Sequence, residues 1–302
     1  MKVKAAAFDY VRADGLDHAL DLLHQYGYEA KLLAGGQSLI PMMAMRLARP
    51  SVLVDIHGLT ELKELDVTAQ TVSMGASMRQ RTLEYADALT GPLPLIKKAL
   101  KWVGHSQTRN RGTVGGSLVH ADPSAELPLA AVVLGARLYL KSQQNGVRDM
   151  DASAFFQGPM FTDIQDTECL ISVEWPVWGT RGVGSAFDEV AIRHGDFAMA
   201  SAAAQIQLDE AGVCRRAAFG LGGVDGTPRS FPELAQRLEG ERLDDALLTE
   251  ISREAAMSCE PGNDLHASAD YRRHLATILA GRVLRQAKQL AQSSFRGVGH
   301  EH

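Results

Sequence analysis

Apolar positions along the chain recur with a period that changes from one stretch to the next. Leu16, Ala19, Leu20 and Leu23 fall at three- and four-residue spacing, which predicts a helix over residues 14–26, with Asp14 able to cap it. Lys31-Leu32-Leu33-Ala34 reads as a short strand running into Gly35-Gly36. Ser38 is placed to cap a second helix that tolerates Pro41 in its first turn, and Ser51 to Ile56 reads as the next strand. The first sixty or so residues thus alternate helix and strand.

After Thr71 the pattern shifts. Thr71 to Gly75 is strand-like and is followed by helical stretches at 82–89 and 93–103. Asn145-Gly146, two residues that tolerate positive φ, sits between the strand-like runs 136–141 and 146–150 and predicts a hairpin. Leu170 to Trp175 is a further strand closed by Pro176, and Pro and Gly break the pattern over 176–184. Beyond that break, 200–208 and 213–221 predict an antiparallel hairpin, and 244–257 and 269–291 predict two helices. Residues from 291 to 302 read as a flexible tail. The expected division is residues 1–177 (subdomains about 1–58 and 59–177), then a C-terminal α+β domain over 178–290.

Composition narrows the classes. Of 302 residues, 45% are hydrophobic and 22% charged, the mix of a globular protein. No apolar run is long enough for a membrane span, and no apolar core follows the first lysines as a secretory signal would require, so the expected location is cytoplasmic. A net charge of −5, with no basic run longer than Thr108 to Arg111, argues against nucleic-acid binding. Cys169, Cys214 and Cys259 are too few and too scattered to hold an iron–sulfur cluster or a disulfide framework.

Candidate chemistry lies in two glycine loops. Leu33-Ala34-Gly35-Gly36-Gln37-Ser38-Leu39 places paired glycines between a strand and a helix, where a backbone without Cβ can approach an anion and free N–H groups can hold it. Gly112-Thr113-Val114-Gly115-Gly116-Ser117 repeats the layout with Thr113 and Ser117 as hydroxyl donors. A plain strand-to-helix turn has the same appearance, and neither loop is a dinucleotide fingerprint or a P-loop. His120-x-Asp122 reads as a hydrogen-bonded turn rather than a metal pair, and Arg193-His194 either caps a strand or faces the ligand site.

The order and spacing of several segments resemble a known family. Ala34 to Pro41, Arg111 to Ser117 with His120 to Pro128, Leu170 to Glu174, Arg193 to Ala198 and His266 to Leu275 are similar to the FAD-binding medium subunits of molybdenum hydroxylases, the carbon monoxide dehydrogenase and xanthine dehydrogenase type. The similarity runs over roughly residues 3 to 288. It implies an α+β fold: a two-subdomain FAD-binding domain of the vanillyl-alcohol-oxidase-like type, then a domain of antiparallel sheet plus helices. It also implies FAD contacts from Leu32, Leu33, Ala34, Gly35, Gly36, Gln37, Ser38 and Leu39, and from Thr113, Val114, Gly115, Gly116 and Ser117. Glu126 would meet the adenosine ribose, Leu170 would give a backbone contact, and Asp188 stands where relatives often carry a lysine near the flavin. Trp102 or Val103 would supply an apolar contact.

The resemblance further implies an electron-transfer subunit with no catalytic acid or base of its own. Its partners would be a large molybdopterin-binding subunit and a small subunit with two [2Fe–2S] clusters, assembled as a dimer of heterotrimers. A self-contained flavin-dependent oxidoreductase of the same superfamily is the alternative. Valine at Gly36 or Gly115 is expected to exclude FAD while leaving the chain folded.

Overall fold

The computed structural model describes residues 4–295, organised around three principal sheets. The first is parallel and comes from β1 (Asp9–Arg12), α1 (Leu16–Tyr26), β2 (Ala30–Leu33), α2 (Leu39–Ala44) and β3 (Val52–Asp55). Strand order is β1-β3-β2, so the most apolar strand is central, with Val52, Leu53 and Val54 buried. Helix α1 lays Ala19, Leu20 and Leu23 on this sheet, the face its spacing predicted. It begins after Gly15, however, and Asp14 does not cap it: the Leu16 N–H donates instead to Glu61 Oε1 at 2.6 Å. Ser38 makes no capping bond either, and α2 is only six residues long.

The second sheet is antiparallel, in the order β4-β5-β10-β6-β7. Strands β4 (Leu65–Val67) and β5 (Thr71–Gly75) lead into a run of short helices: α3 (Gln80–Glu84), α4 (Pro94–Leu100), α5 (Ser106–Arg111), α6 (Val114–His120) and α7 (Glu126–Leu134). The chain returns through β6 (Arg137–Ser142) and β7 (Gly146–Asp151), joined at Gly146 with φ +68° as the hairpin signal predicted. It then passes α8 (Ala152–Phe155), β8 (Phe156–Gly158) and β9 (Phe161–Thr162) before β10 (Glu168–Pro176). Helix α7 is buried from Leu127 to Leu134; with no polar face it carries no helical periodicity, so spacing alone does not reveal it.

The third sheet is β11 (Val183–Val190), β12 (Ala200–Leu208), β13 (Cys214–Gly222) and β14 (Arg229–Ser230), antiparallel and in chain order. Helices α9 (Pro232–Gln236), α10 (Asp245–Met257) and α11 (Ala269–Ser294) complete the chain, with Asp244 and Ser268 capping α10 and α11 through their side chains. The expected tail is helical as far as Ser294, and residues 296–302 lie outside the described residues. Helix α11 crosses β11 at Gly184, where a Cβ would lie 2.1 Å from the Ala287 carbonyl oxygen, so only glycine allows the approach. The opposite face of this sheet sends Phe187 and Ala203 into the core built by α4, α7 and the second sheet. Among the described residues no helix is long and apolar enough to cross a membrane.

Candidate functional site

The fold brings the two glycine loops into contact. A Cβ on Gly35 would lie 2.6 Å from the Arg111 carbonyl oxygen and 3.0 Å from Gly112 Cα, so the β2–α2 turn rests against the chain entering α6. Gly36 takes φ +72°, the left-handed region that favours glycine. Neither contact is visible in the sequence, because the loops are distant in the chain, one following β2 and the other joining α5 to α6.

Backbone hydrogen bonds separate their roles. In the second loop the N–H groups from Val114 to Ser117 are already used: Val114 donates to Met78 O, Gly115 to Ala76 O, Gly116 to Thr113 Oγ1 and Ser117 to Thr113 O, at 2.8–3.2 Å. Gly115 and Gly116 therefore lie inside the first turn of α6 rather than in an open loop. In the first loop the N–H groups of Gly35, Gly36, Gln37, Ser38 and Leu39 meet no acceptor among the described residues. Consecutive free donors on a backbone lacking Cβ atoms at its turn form a cradle for a phosphate group. That donor set fits the pyrophosphate of FAD, with the hydroxyls of Thr113 and Ser117 on the facing loop.

Gly115 has a structural reason to be glycine. A Cβ there would lie 2.5 Å from Ala76 Cβ and 2.8 Å from its carbonyl oxygen. The expectation that valine at this position spares the fold is thereby corrected. Gly115→Val is expected to lower stability by about 2–3 kcal/mol, the range for overpacking against unyielding atoms. Urea denaturation of the FAD-free chain measures this, and an unchanged midpoint would show that β5 yields.

Side chains that sequence reasoning misses brace the junction. Arg109 is buried; its Nε and Nη2 donate to Glu84 at 2.9 and 3.1 Å, and its Nη1 to the Val103 and Gly104 carbonyls at 2.9 and 3.0 Å. It is thus a structural anchor at the heart of the short basic run. Arg79 donates to the Arg111 carbonyl and meets His57 Nδ1. Burial, then the Arg79 charge, lowers the His57 pKa, which suits a neutral ring accepting from guanidinium. Gln80 passes beneath Gly112, where a Cβ would lie 2.4 Å from its Oε1.

The remaining candidates divide. Leu170 lies at a bulge in β10, and the next carbonyl, Ile171 O, accepts from Ala76 N at 2.9 Å while Ala76 O accepts from Gly115, linking β10 to the second loop. Glu126 opens α7. Asp188 is not brought to the loops: its carboxylate pairs with Arg282 of α11 at 2.6 Å. A cavity of about 820 Å³ between α10, α11 and Trp102 includes Asp188 in its wall but no residue of either loop. Val103 is buried, whereas Trp102 stacks on His194 with ring centroids 5.5 Å apart. His194 thereby lies over the Trp102 segment. Asp122 accepts from Ser124 N at 2.8 Å, a local turn as expected.

Two carboxyls at the seam between α7 and the third sheet are strongly perturbed. Burial, with the Asp122 charge adding, pushes Glu126 up to about 7, against its own backbone N–H bond and Arg109. Burial, then the charges of Glu126 and Asp188, pushes Glu189 up to about 9. Both folded values exceed an unfolded value near 4.5, so the folded chain holds the extra protons. The associated stability is fully present below that unfolded value and is lost as pH rises through the folded ones. The urea midpoint of the FAD-free chain is expected to fall between pH 5 and 9, with Glu189→Gln flattening the upper part of that decline. Identical pH profiles for wild type and variant would refute the assignment.

Known proteins share this architecture. Residues 6–178 match the family model "FAD binding domain in molybdopterin dehydrogenase", and residues 185–287 match "CO dehydrogenase flavoprotein C-terminal domain". The chain is 36% identical over 298 residues to the 6-hydroxypseudooxynicotine dehydrogenase complex subunit alpha of Paenarthrobacter nicotinovorans, covering 99% of this chain and 100% of that one. The solved quinoline 2-oxidoreductase from Pseudomonas putida 86 is similar with a TM-score of 0.89 and 36% identity, covering 96% and 99% of the two chains. Reconstituted CO dehydrogenase from Oligotropha carboxidovorans gives a TM-score of 0.92 at 33% identity, covering 95% and 99%. With both family models matched in order and the first glycine loop shaped for a pyrophosphate, the chain belongs to the FAD-binding medium subunits of the molybdenum-dependent hydroxylases and dehydrogenases, a family of oxidoreductase flavoproteins.

Proposed function

We propose that this chain is the electron-transfer subunit of a cytoplasmic heterotrimeric molybdenum hydroxylase, assembled with a large molybdopterin-binding subunit and a small subunit carrying two [2Fe–2S] clusters, as a dimer of heterotrimers. When bound, FAD would supply the redox chemistry, taking electrons relayed through the partner's iron–sulfur clusters and yielding them to an external acceptor. The observation that carries this reading is the row of unpartnered N–H groups from Gly35 to Leu39, on a loop packed through Gly35 against Arg111 and Gly112 of the second. In it, Leu32, Leu33 and Ala34 deliver the first loop from the edge of β2, and Val114, Gly115 and Gly116 hold the second in a fixed turn. Glu126 reaches the adenosine ribose, and the β10 bulge at Leu170 offers backbone at the cofactor edge. Substrate choice belongs to the molybdenum subunit.

The reading is tested by purifying the tagged full chain with its co-expressed partners and measuring flavin, molybdenum and iron. Co-purification of all three supports it, with flavin reduced through the complex and not by the chain alone. A chain that carries FAD without molybdenum or iron partners, and whose flavin is reduced directly by an organic substrate, would make it a self-contained flavoenzyme.

A further inference from the structure

Glu189 is among the least satisfied polar groups in the fold. It is only 5% exposed, yet neither carboxyl oxygen meets a hydrogen-bond partner. Strand alternation explains where it points. Asp188 turns towards α11 to pair with Arg282, so Glu189 turns to the opposite face with Phe187, into the seam packed by α4 and α7. Its register partner on β12 is Ser201, itself fully buried with an unpartnered Oγ. Ser201 in turn pairs with Gly222 on β13, where a Cβ would lie 2.6 Å from Ser201 Oγ and 3.5 Å from Pro123 O. Three neighbouring strands thus present a carboxyl, a hydroxyl and a bare glycine towards the segment from Pro123 to Glu126.

A buried polar group without a partner is costly, and a fold keeps one where a ligand completes it. The nearby cation is committed: Arg109 already serves Glu84 and two carbonyls. Among the described residues no cluster of three or more metal-ligating groups exists, so two carboxyls and a hydroxyl do not make a metal site. An anion would gain no pairing from Arg109, which is already spent on Glu84 and two carbonyls. Neutral hydroxyl groups fit, since a protonated carboxyl donates one hydrogen bond and accepts another.

We propose that Glu189 and Ser201 are cofactor-binding residues, which with Glu126 form a buried recess between α7 and the C-terminal sheet for hydroxyl groups of the sugar portions of FAD. This rests on the FAD reading and on Glu126 lying beside the cofactor. Burial keeps the Glu189 carboxyl neutral, so it adds no repulsion towards the pyrophosphate held by the first loop.

The test separates binding from folding. The full chain, stripped of FAD, is titrated with FAD by flavin fluorescence, and its thermal midpoint is measured without FAD, for wild type, Glu189→Leu, Glu189→Gln and Ser201→Ala. Glu189→Leu is expected to weaken FAD at least about tenfold while raising the FAD-free midpoint, because it removes an unsatisfied buried carboxyl. Glu189→Gln keeps donor and acceptor and is expected to stay within about threefold of wild type, with Ser201→Ala weakened by about three- to fivefold. Wild-type affinity in Glu189→Leu overturns the proposal, as does weakened binding that appears only with a lowered midpoint. If the leucine variant does not fold, wild-type affinity in Ser201→Ala overturns it. A wild-type chain that takes up no FAD overturns the cofactor reading itself and this inference with it.

Discussion

Gly35→Ala is expected to cost the chain its FAD while leaving its fold in place. One methyl group at this position would lie 2.6 Å from the Arg111 carbonyl oxygen and 3.0 Å from Gly112 Cα. The two loops would have to part by roughly an ångström to restore ordinary contact distances. The N–H groups of the first loop and the hydroxyls of the second would then no longer face one site. A loss of at least about a hundredfold in FAD affinity, near 2.7 kcal/mol, is expected. Gly36→Ala provides the contrast: its Cβ would meet only side-chain ends, Ile40 at 3.2 Å and Leu33 at 3.3 Å, so the cost is that of a left-handed backbone. That strain is about 1–2 kcal/mol, without the wedge. Flavin absorbance per chain and FAD titration rank the two; Gly36→Ala losing more FAD than Gly35→Ala would show that loop separation is not what matters.

Arg109→Met should produce the largest loss of stability. The variant keeps the volume but leaves Glu84, whose side chain is 13% exposed, without its bidentate partner, and frees the Val103 and Gly104 carbonyls. Removing one member of a buried pair costs about 3–5 kcal/mol. Glu84→Gln with Arg109→Met removes the stranded charge and is expected to recover part of that loss. Urea unfolding of the three chains checks both statements. Since Arg109 also pins the segment leading into α6, FAD affinity is expected to fall with the single variant and to be only partly restored by the double one. Equal stability of wild type and Arg109→Met would show the guanidinium to be dispensable.

Elements with a regular apolar period are legible in the chain's own spacing. The 16–26 helix and the two long C-terminal helices follow from it, because each has one buried and one wet face, while the β12–β13 hairpin follows from the turn residues between two apolar runs. Elements buried on every side are not. Helix α7 carries no polar stripe, and β11, which starts as the Pro and Gly break ends, is packed on both faces. The cap expected of Asp14 fails because Glu61 reaches in from another element, whereas Asp244 and Ser268 cap their own helices.

The glycine loops show the same division most sharply. The sequence by itself determined the pairs of glycines, their flanking hydroxyls and the ordered motifs of the family, because these are properties of short segments and of their spacing. The resemblance those motifs carry implied the fold class as well. Only the tertiary structure decided that the loops touch, that the first has a row of free donors while the second spends those of Val114 to Ser117, and that Gly115 serves packing against Ala76. The same holds for Glu189 and Asp188, neighbours in the chain that face opposite sides of one strand. Which side is the cofactor side depends on what packs against each face, and that is a relation between distant segments which no local spacing encodes.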